Sequence, residues 1–405
     1  MFKKISLQFI LILIILVPEG FCLEYNIDNL LKIAEENSAN IQAFDLFAQS
    51  QKSFANQQKY WSNPTISATK SSTQNSFSLS QEIPYFNKLE NKYNIENSEF
   101  KIQENRRNSL ILEVKSQVFK LAYQNFILQN KIQLTQKRLD RLSLISNYLA
   151  NIALDSPNRH AQSIIAQDRI KLVQRDLIIL NNQLKQNFNH LNVFLNLSEQ
   201  PKITLKWLDK NHLEPKQILI QKAFENNLNL KEQKFTIEKY RSELAYAKIE
   251  QMPNVNIHGQ IQNSSGTSSN QASNGIGLSL SVPIINQNKE KIFSVESKIK
   301  AQNKLYEFEK NQLEKIIEND ILQYQTQIKN SQIFAINLVP KIISRLNNAN
   351  IEFKKGILDF ITYIELDMQE YQTLDAIFEA QHLLAESFSD LMFKIGDFSI
   401  PQNLK

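Results

Sequence analysis

Hydrophobic positions recur along the chain with two distinct periods. Ile111, Val114, Val118, Leu121, Leu128, Ile132, Leu139, Leu142 and Leu149 fit one alternating three-four spacing, interrupted by Asn125, Thr135 and Ser146. Tyr371, Leu374, Phe378, Ala385, Phe388, Met392 and Ile395 obey the same rule. That spacing marks the seam between packed helices. Elsewhere the period falls to two. Ile66 and Ala68, then Phe77, Leu79 and Ile83, then Val255, Ile257 and Ile261, then Ile276, Leu278, Leu280 and Val282 alternate with small or hydrophilic residues, the mark of a strand with one apolar face. The pattern predicts helices at Asp28 to Tyr60, Asn87 to Ala153, Asn158 to Leu197, Pro215 to Glu250, Asn286 to Lys355 and Leu358 to Ile395. The longest two would reach about 100 Å each at the ordinary helical rise.

The same order of elements occurs twice. A shift of 189 positions lays Ala34, Glu36, Asn37 and Asn40 on Ala223, Glu225, Asn226 and Asn229, and Pro64 on Pro253. A shift of 199 lays Ser80 to Asn87 on Ser279 to Asn286, and one of 198 lays Asn192 to Leu197 on Asp390 to Ile395. The extra ten residues fall in the polar stretch Asn263 to Gly275, which reads as an exposed loop. The expected organisation is therefore a leader over 1–22, a first repeat over 23–200, a linker over 201–214, a second repeat over 215–396 and a tail over 397–405. Lys3 and Lys4, the apolar run to Val17 and the small residues before Leu23 give the leader the layout of a secretory signal peptide. Cys22 leaves two readings open, removal with the leader or lipidation as the new N-terminus.

Composition narrows the chemistry. Only 7 of 405 residues are glycine, and none lies between Phe21 and His258, so glycine-loop nucleotide sites are excluded there. The 46 basic and 41 acidic residues are interspersed, without the basic block of a nucleic-acid surface. One Cys and five scattered His lack the spacing of a metal centre, and no catalytic signature is present. The expectation is a protein that is not an enzyme, with no cofactor.

The strands then matter most. Their expected length of about 9 to 11 residues suits a tilted bilayer crossing. Tyr60, Trp61, Tyr85 and Phe86 flank them, where an interfacial aromatic girdle would sit. Ile66, Phe77, Leu79, Val255, Ile257, Ile276, Leu278, Leu280 and Val282 are the candidate lipid-facing residues. Four strands cannot enclose a lumen, so copies must pool them; three copies would supply twelve. The alternative is a secreted structural or adhesive coiled coil with a small soluble sheet.

The strand entries Asn63-Pro64-Thr65-Ile66-Ser67-Ala68 and Met252-Pro253-Asn254-Val255-Asn256-Ile257, the junctions Leu79 to Pro84 and Gly277 to Pro283, and Lys355-Gly356-Ile357-Leu358-Asp359-Phe360 together resemble the TolC-like outer-membrane efflux proteins. The resemblance covers nearly all of the chain after the leader. It implies a mainly α fold with a small transmembrane β part: a homotrimer with a twelve-stranded barrel in the outer membrane and a twelve-helix tunnel in the periplasm. It also implies a passive conduit for efflux or type I secretion, docked on a periplasmic adaptor and an inner-membrane transporter, with drug, metal and protein cargo all open. Ser80-Gln81 before Pro84 is similar to the heavy-metal branch. By the same resemblance the turns Ser156 to His160 and Lys355 to Asp359 form the periplasmic tip. Arg159, His160 and Lys355 would bring positive charge there, Gly356 the tight turn and Asp359 a helix cap. Glu365 would form an acidic ring, with Thr362 standing where another acid is expected.

Overall fold

The computed structural model describes residues 24–72, 74–152, 157–208, 213–266, 269–280, 282 and 287–398. The expected leader with Cys22, residue 156 of the first tip turn, residues 281 and 283 of the second junction and residues 399–405 of the tail lie outside them. In chain order the elements are β1 (Glu24–Tyr25), α1 (Ile27–Asn37), α2 (Ala39–Gln57), β2 (Thr65–Lys70), β3 (Gln74–Ile83), α3 (Lys88–Ile152), α4 (Pro157–Leu195), β4 (Lys202–Ile203), α5 (Lys216–Asn226), α6 (Leu228–Glu250), β5 (Val255–Gly266), β6 (Ser269–Leu280), α7 (Lys289–Ile333), α8 (Leu338–Lys354) and α9 (Phe360–Ile395).

Three of the expected helices are each divided in two. The first breaks at Ser38, in extended backbone, and the fourth at Asn227, with φ −56° and ψ 123°. These breaks lie where the short helices meet the ends of α4 and α9, whose last carbonyls need donors. Asn37 Nδ2 donates to the Leu195 carbonyl at 2.9 Å, and Asn227 Nδ2 donates to the Lys394 carbonyl at 2.8 Å. Asn227 also caps α6, its Oδ1 accepting from the Leu230 amide at 3.1 Å. The fifth helix is interrupted between Ile333 and Leu338. Pro340 explains that break, because its ring collides with the carbonyl four residues back, at Ile336. The first long helix, α3, runs unbroken for 65 residues, about 98 Å.

The helices stand side by side in four columns. α3 packs against α2 and α4 on one flank and against α6 and α9 on the other; α7 packs on α6 and α9, and α8 on α9. The outermost columns are therefore α2 with α4 and α7 with α8. Their buried residues form three clusters strung along the bundle. The largest joins Phe119, Tyr123, Leu195, Tyr324 and Phe388, the next joins Ile127, Ile342 and Phe378, and the most distant from the sheet joins Leu149, Ala166, Phe353 and Tyr363. A parallel pairing of β1 with β4, two residues each, ties the start of the described chain to the segment that follows α4.

β2, β3, β5 and β6 form one antiparallel sheet in that spatial order. β2 has 6 residues, shorter than expected, whereas β5 and β6 have 12 each and continue as paired strands into the stretch Asn263 to Gly275, expected from sequence as a loop. Among the described residues, none of the sheet's side chains belongs to the three buried clusters.

α9 ends in a left-handed Gly396 at φ 82°, with the Asp397 amide donating to the Met392 carbonyl and the Gly396 amide to the Phe393 carbonyl. A Cβ at Gly396 would stand 2.5 Å from the Asn226 carbonyl oxygen. Gly396→Ala should cost about 1–3 kcal/mol or more, read as a lower unfolding midpoint. At the matching end of α4, Asn196 has φ 52°, and Asn196→Gly should change the midpoint little.

Candidate functional site

Directly opposed residues of antiparallel strands share a face. The register sets Ile66 opposite Leu79, Ala68 opposite Phe77, Phe77 opposite Ile261, Ile83 opposite Val255, Val255 opposite Leu280, and Ile257 opposite Leu278. These residues, with Ile276 opposite Gly259, make one face that is apolar apart from Gln81, which stands opposite Ile257. The other face sets Ser67 opposite Ser78, Ser78 opposite Gln260, Ser80 opposite His258, Glu82 opposite Asn256, and Asn256 opposite Ser279. Ser67 and Ser78 share a hydrogen bond of 2.6 Å, and the His258 ring lies across Gly277, filling the place where a Cβ would stand. The apolar face is bare: Ile276 is 90% exposed and Leu278 70%, and Ile66, Phe77, Leu79, Ile257 and Leu280 are exposed too. Val282, just past β6, is likewise exposed, and Val255 is half-buried.

Measured along β3 from Ile83 to Phe77, this apolar band is about 20 Å long. Beyond it the same face turns polar, with Asn75 opposite Asn263 and Ile261 opposite Asn274. At its other end, next to the helices, Tyr60, Trp61, Tyr85 and Phe86 are all exposed. Here too lies a joint that the periodicity did not reveal. Lys88, only 7% exposed, opens α3 and donates from Nζ to the Met252 carbonyl at 2.6 Å and to Asn254 Oδ1 at 2.8 Å. Asn254 also accepts from the Tyr85 amide and donates to Glu82.

The opposite end of the bundle holds the other candidates. Arg159 and His160 lie in the first turn of α4, and Lys355 to Asp359 connect α8 to α9; both segments border the cluster around Phe353 and Phe360. Arg159, His160, Lys355, Gly356, Asp359, Thr362 and Glu365 are all exposed. Gly356 has φ 72° and closes α8, its amide donating to the Phe353 carbonyl at 2.9 Å while the Ile357 amide donates to the Glu352 carbonyl at 3.0 Å. Asp359 caps α9, accepting from the Thr362 amide at 3.0 Å and from the Thr362 hydroxyl at 2.5 Å. Thr362 thus serves the cap rather than a second ring of charge.

Above this end the structure brings together residues not singled out from sequence. Asp367, 2% exposed, accepts from Arg138 Nε at 2.8 Å, and Arg141 Nη2 stands 3.6 Å from its other oxygen. Arg141 also donates to the Tyr371 hydroxyl at 3.1 Å, and the Arg138 guanidinium lies 4.2 Å from the Tyr371 ring centre. Burial alone would weaken the Arg141 charge, but Tyr371, Tyr363 and Asp367 around it raise its pKa. Burial pushes the Tyr363 hydroxyl up to about 12, with Asp367 adding to the shift. This cluster ties α9 to α3, while Arg345 Nη2 donates to Glu370 at 2.8 Å and ties α8 to α9. A signal for Asp367 was present, a charged residue at a seam position between Ile364 and Tyr371.

Two outcomes follow for this end. Asp367→Asn leaves two arginines without their counter-charge and should destabilise the chain by about 3–5 kcal/mol in thermal unfolding. The Thr362 hydroxyl and amide hold Asp359 below the usual carboxylate range. The cap's contribution is therefore full at neutral pH and disappears as pH falls through that lowered value. The protection of the Thr362 amide relative to its intrinsic exchange rate should fall on acidification, and in Asp359→Ala it should be low at every pH.

No protein-family model and no curated protein matches the chain. Solved structures do. CusC, in a study of its folding and transmembrane channel formation, superposes with a TM-score of 0.74 at 14% identity, covering 93% of each chain. The open state of the Neisseria gonorrhoeae MtrE outer membrane channel gives 0.72 at 14% identity over 92% of this chain and 89% of that one. The outer membrane protein VceC from Vibrio cholerae gives 0.68 at 13% identity over 92% and 97%. Over nearly its whole length, this chain therefore has the mainly helical fold in which those membrane proteins are built.

Proposed function

We propose that the chain is the outer-membrane channel of an efflux or type I secretion system, a passive conduit formed by a ring of identical subunits. One observation carries the reading: the sheet and the bundle both end in open, complementary edges. β2 and β6 are the sheet's outer strands, and because directions alternate, β6 of one copy would run antiparallel to β2 of the next. The outermost helices carry exposed apolar residues, Leu46, Phe47 and Phe54 on α2 and Phe293, Leu305 and Phe308 on α7. Contacts of this head-to-tail kind close into rings.

Geometry favours three copies. Two would give eight strands, a barrel whose interior side chains fill, whereas twelve leave a lumen. Twelve helix columns spaced by roughly 10 Å give a cylinder about 38 Å across between axes. In this arrangement the bare apolar face meets lipid, the Ser, Gln and Asn face lines the lumen, and Tyr60, Trp61, Tyr85 and Phe86 sit at the periplasmic interface. The helices cross the periplasm toward an adaptor and an inner-membrane transporter, which supply the energy. At the tip, exposed Glu365 residues draw cations as a ring of carboxylates does. Arg159, His160 and Lys355 offset that charge and face the adaptor.

Leu278→Arg should block assembly in the outer membrane, since a cation on a lipid face costs about 2–4 kcal/mol at mid-depth. Ser279→Arg should assemble and change conductance instead. Equal assembly of the two variants, or recovery of the native chain from the periplasm without detergent, would contradict the reading.

A further inference from the structure

The chain's internal repeat lets one joint inside it describe another between copies. Within the chain, the first half meets the second where β3 pairs with β5, and Lys88 fastens that seam by reaching the Met252 carbonyl just before Pro253. In a ring, the second half of one copy meets the first half of the next where β6 faces β2. The residues that would fasten this second seam can be read off the repeat.

By backbone conformation, Asn288-Lys289 repeats Asn87-Lys88, two positions beyond the Asn286 at which the sequence shift alone places the match. Both asparagines are left-handed, at φ 53° and 64°, and both lysines open a long helix. In each case the residue four positions after the asparagine returns its amide to that asparagine's carbonyl, Asn91 at 3.0 Å and Ile292 at 2.9 Å. On the accepting side, Asn63-Pro64-Thr65 repeats Met252-Pro253-Asn254. The two lysines differ in one respect. Lys88 is buried on its two acceptors, whereas Lys289 is exposed and makes no hydrogen bond or ion pair among the described residues. The segment from Trp61 to Lys70, where its acceptors would lie, is exposed throughout.

Resting on the ring reading above, we propose that Lys289 of one copy fastens the subunit boundary, donating from Nζ to the Asn63 carbonyl of the neighbouring copy, with the Thr65 hydroxyl as second acceptor. The connection from α2 to Pro64 is longer than that from α6 to Pro253 and carries Tyr60 and Trp61. Their ring faces attract an ammonium that arrives without a carboxylate partner.

Benzoylphenylalanine placed at position 289 in the full chain should, on illumination of intact cells, give SDS-stable dimers. Mass spectrometry should locate the link in the peptide containing Asn63. Lys289→Met should reach the outer membrane but lower the temperature at which the oligomer dissociates by several degrees, with Lys289→Arg restoring it. An oligomer whose photo-links fall elsewhere, or whose dissociation temperature is unchanged in Lys289→Met, would overturn this joint and leave the ring standing. Failure of an amine cross-linker to recover any oligomer from native envelopes would overturn both.

Discussion

A strand at the edge of a sheet carries a row of unpaired amides and carbonyls, and in hydrocarbon each would cost several kcal/mol. On the channel reading proposed above, that constraint governs this molecule. Its four strands set an apolar face, broken by Gln81, against a polar one, yet they leave β2 and β6 open and, among the described residues, no buried cluster beneath the apolar side. A sheet of this kind is stable in a bilayer only when other copies complete it. The helical part repeats the condition, since its outer columns expose Phe47 and Phe54 on one side and Phe293 and Phe308 on the other. Sheet and bundle share one incompleteness, and one ring removes both.

Length and stiffness come from a division of labour between apolar seams and isolated polar ties. α3 provides an unbroken rod, against which shorter helices are set end to end. Where those helices meet, asparagine amides donate to the carbonyls that helix ends leave free, Asn37 to Leu195 and Asn227 to Lys394. Away from the sheet, the fixing shifts to charge. Asp367 between two arginines and Glu370 on Arg345 hold α8 and α9 in place, below the interruption that Pro340 imposes. Buried ion pairs add less net stability than their contacts suggest, but removing one partner is costly, so they fix alignment more than they strengthen the fold.

Much of this was written in the sequence as period. Alternation at Phe77, Leu79 and Ile83 or at Ile276, Leu278 and Leu280 specifies which residues share a face, because a strand offers only two. The three-four spacing likewise marks α3 and α9. Features set by a partner element were hidden. Ser38 and Asn227 break helices because of what lies across from them, and a local pattern does not record that. Lys88 reads as an ordinary surface lysine until α6 and β5 arrive over it. The β1 and β4 pairing is too short to have a period. The interruption before Pro340 is different, since the proline was visible and an interior helical position forbids it. Thr362 was legible only as a missing acid; its hydrogen bond to Asp359 gives it a role of its own.

The central claim is that identical subunits share one wall, in a number large enough to leave it hollow. Native mass spectrometry of the detergent-extracted protein tests this most directly. The account predicts a complex of three chains. A monomer would leave β2 and β6 unpaired in lipid, and a dimer would close eight strands around no lumen; either mass would contradict it.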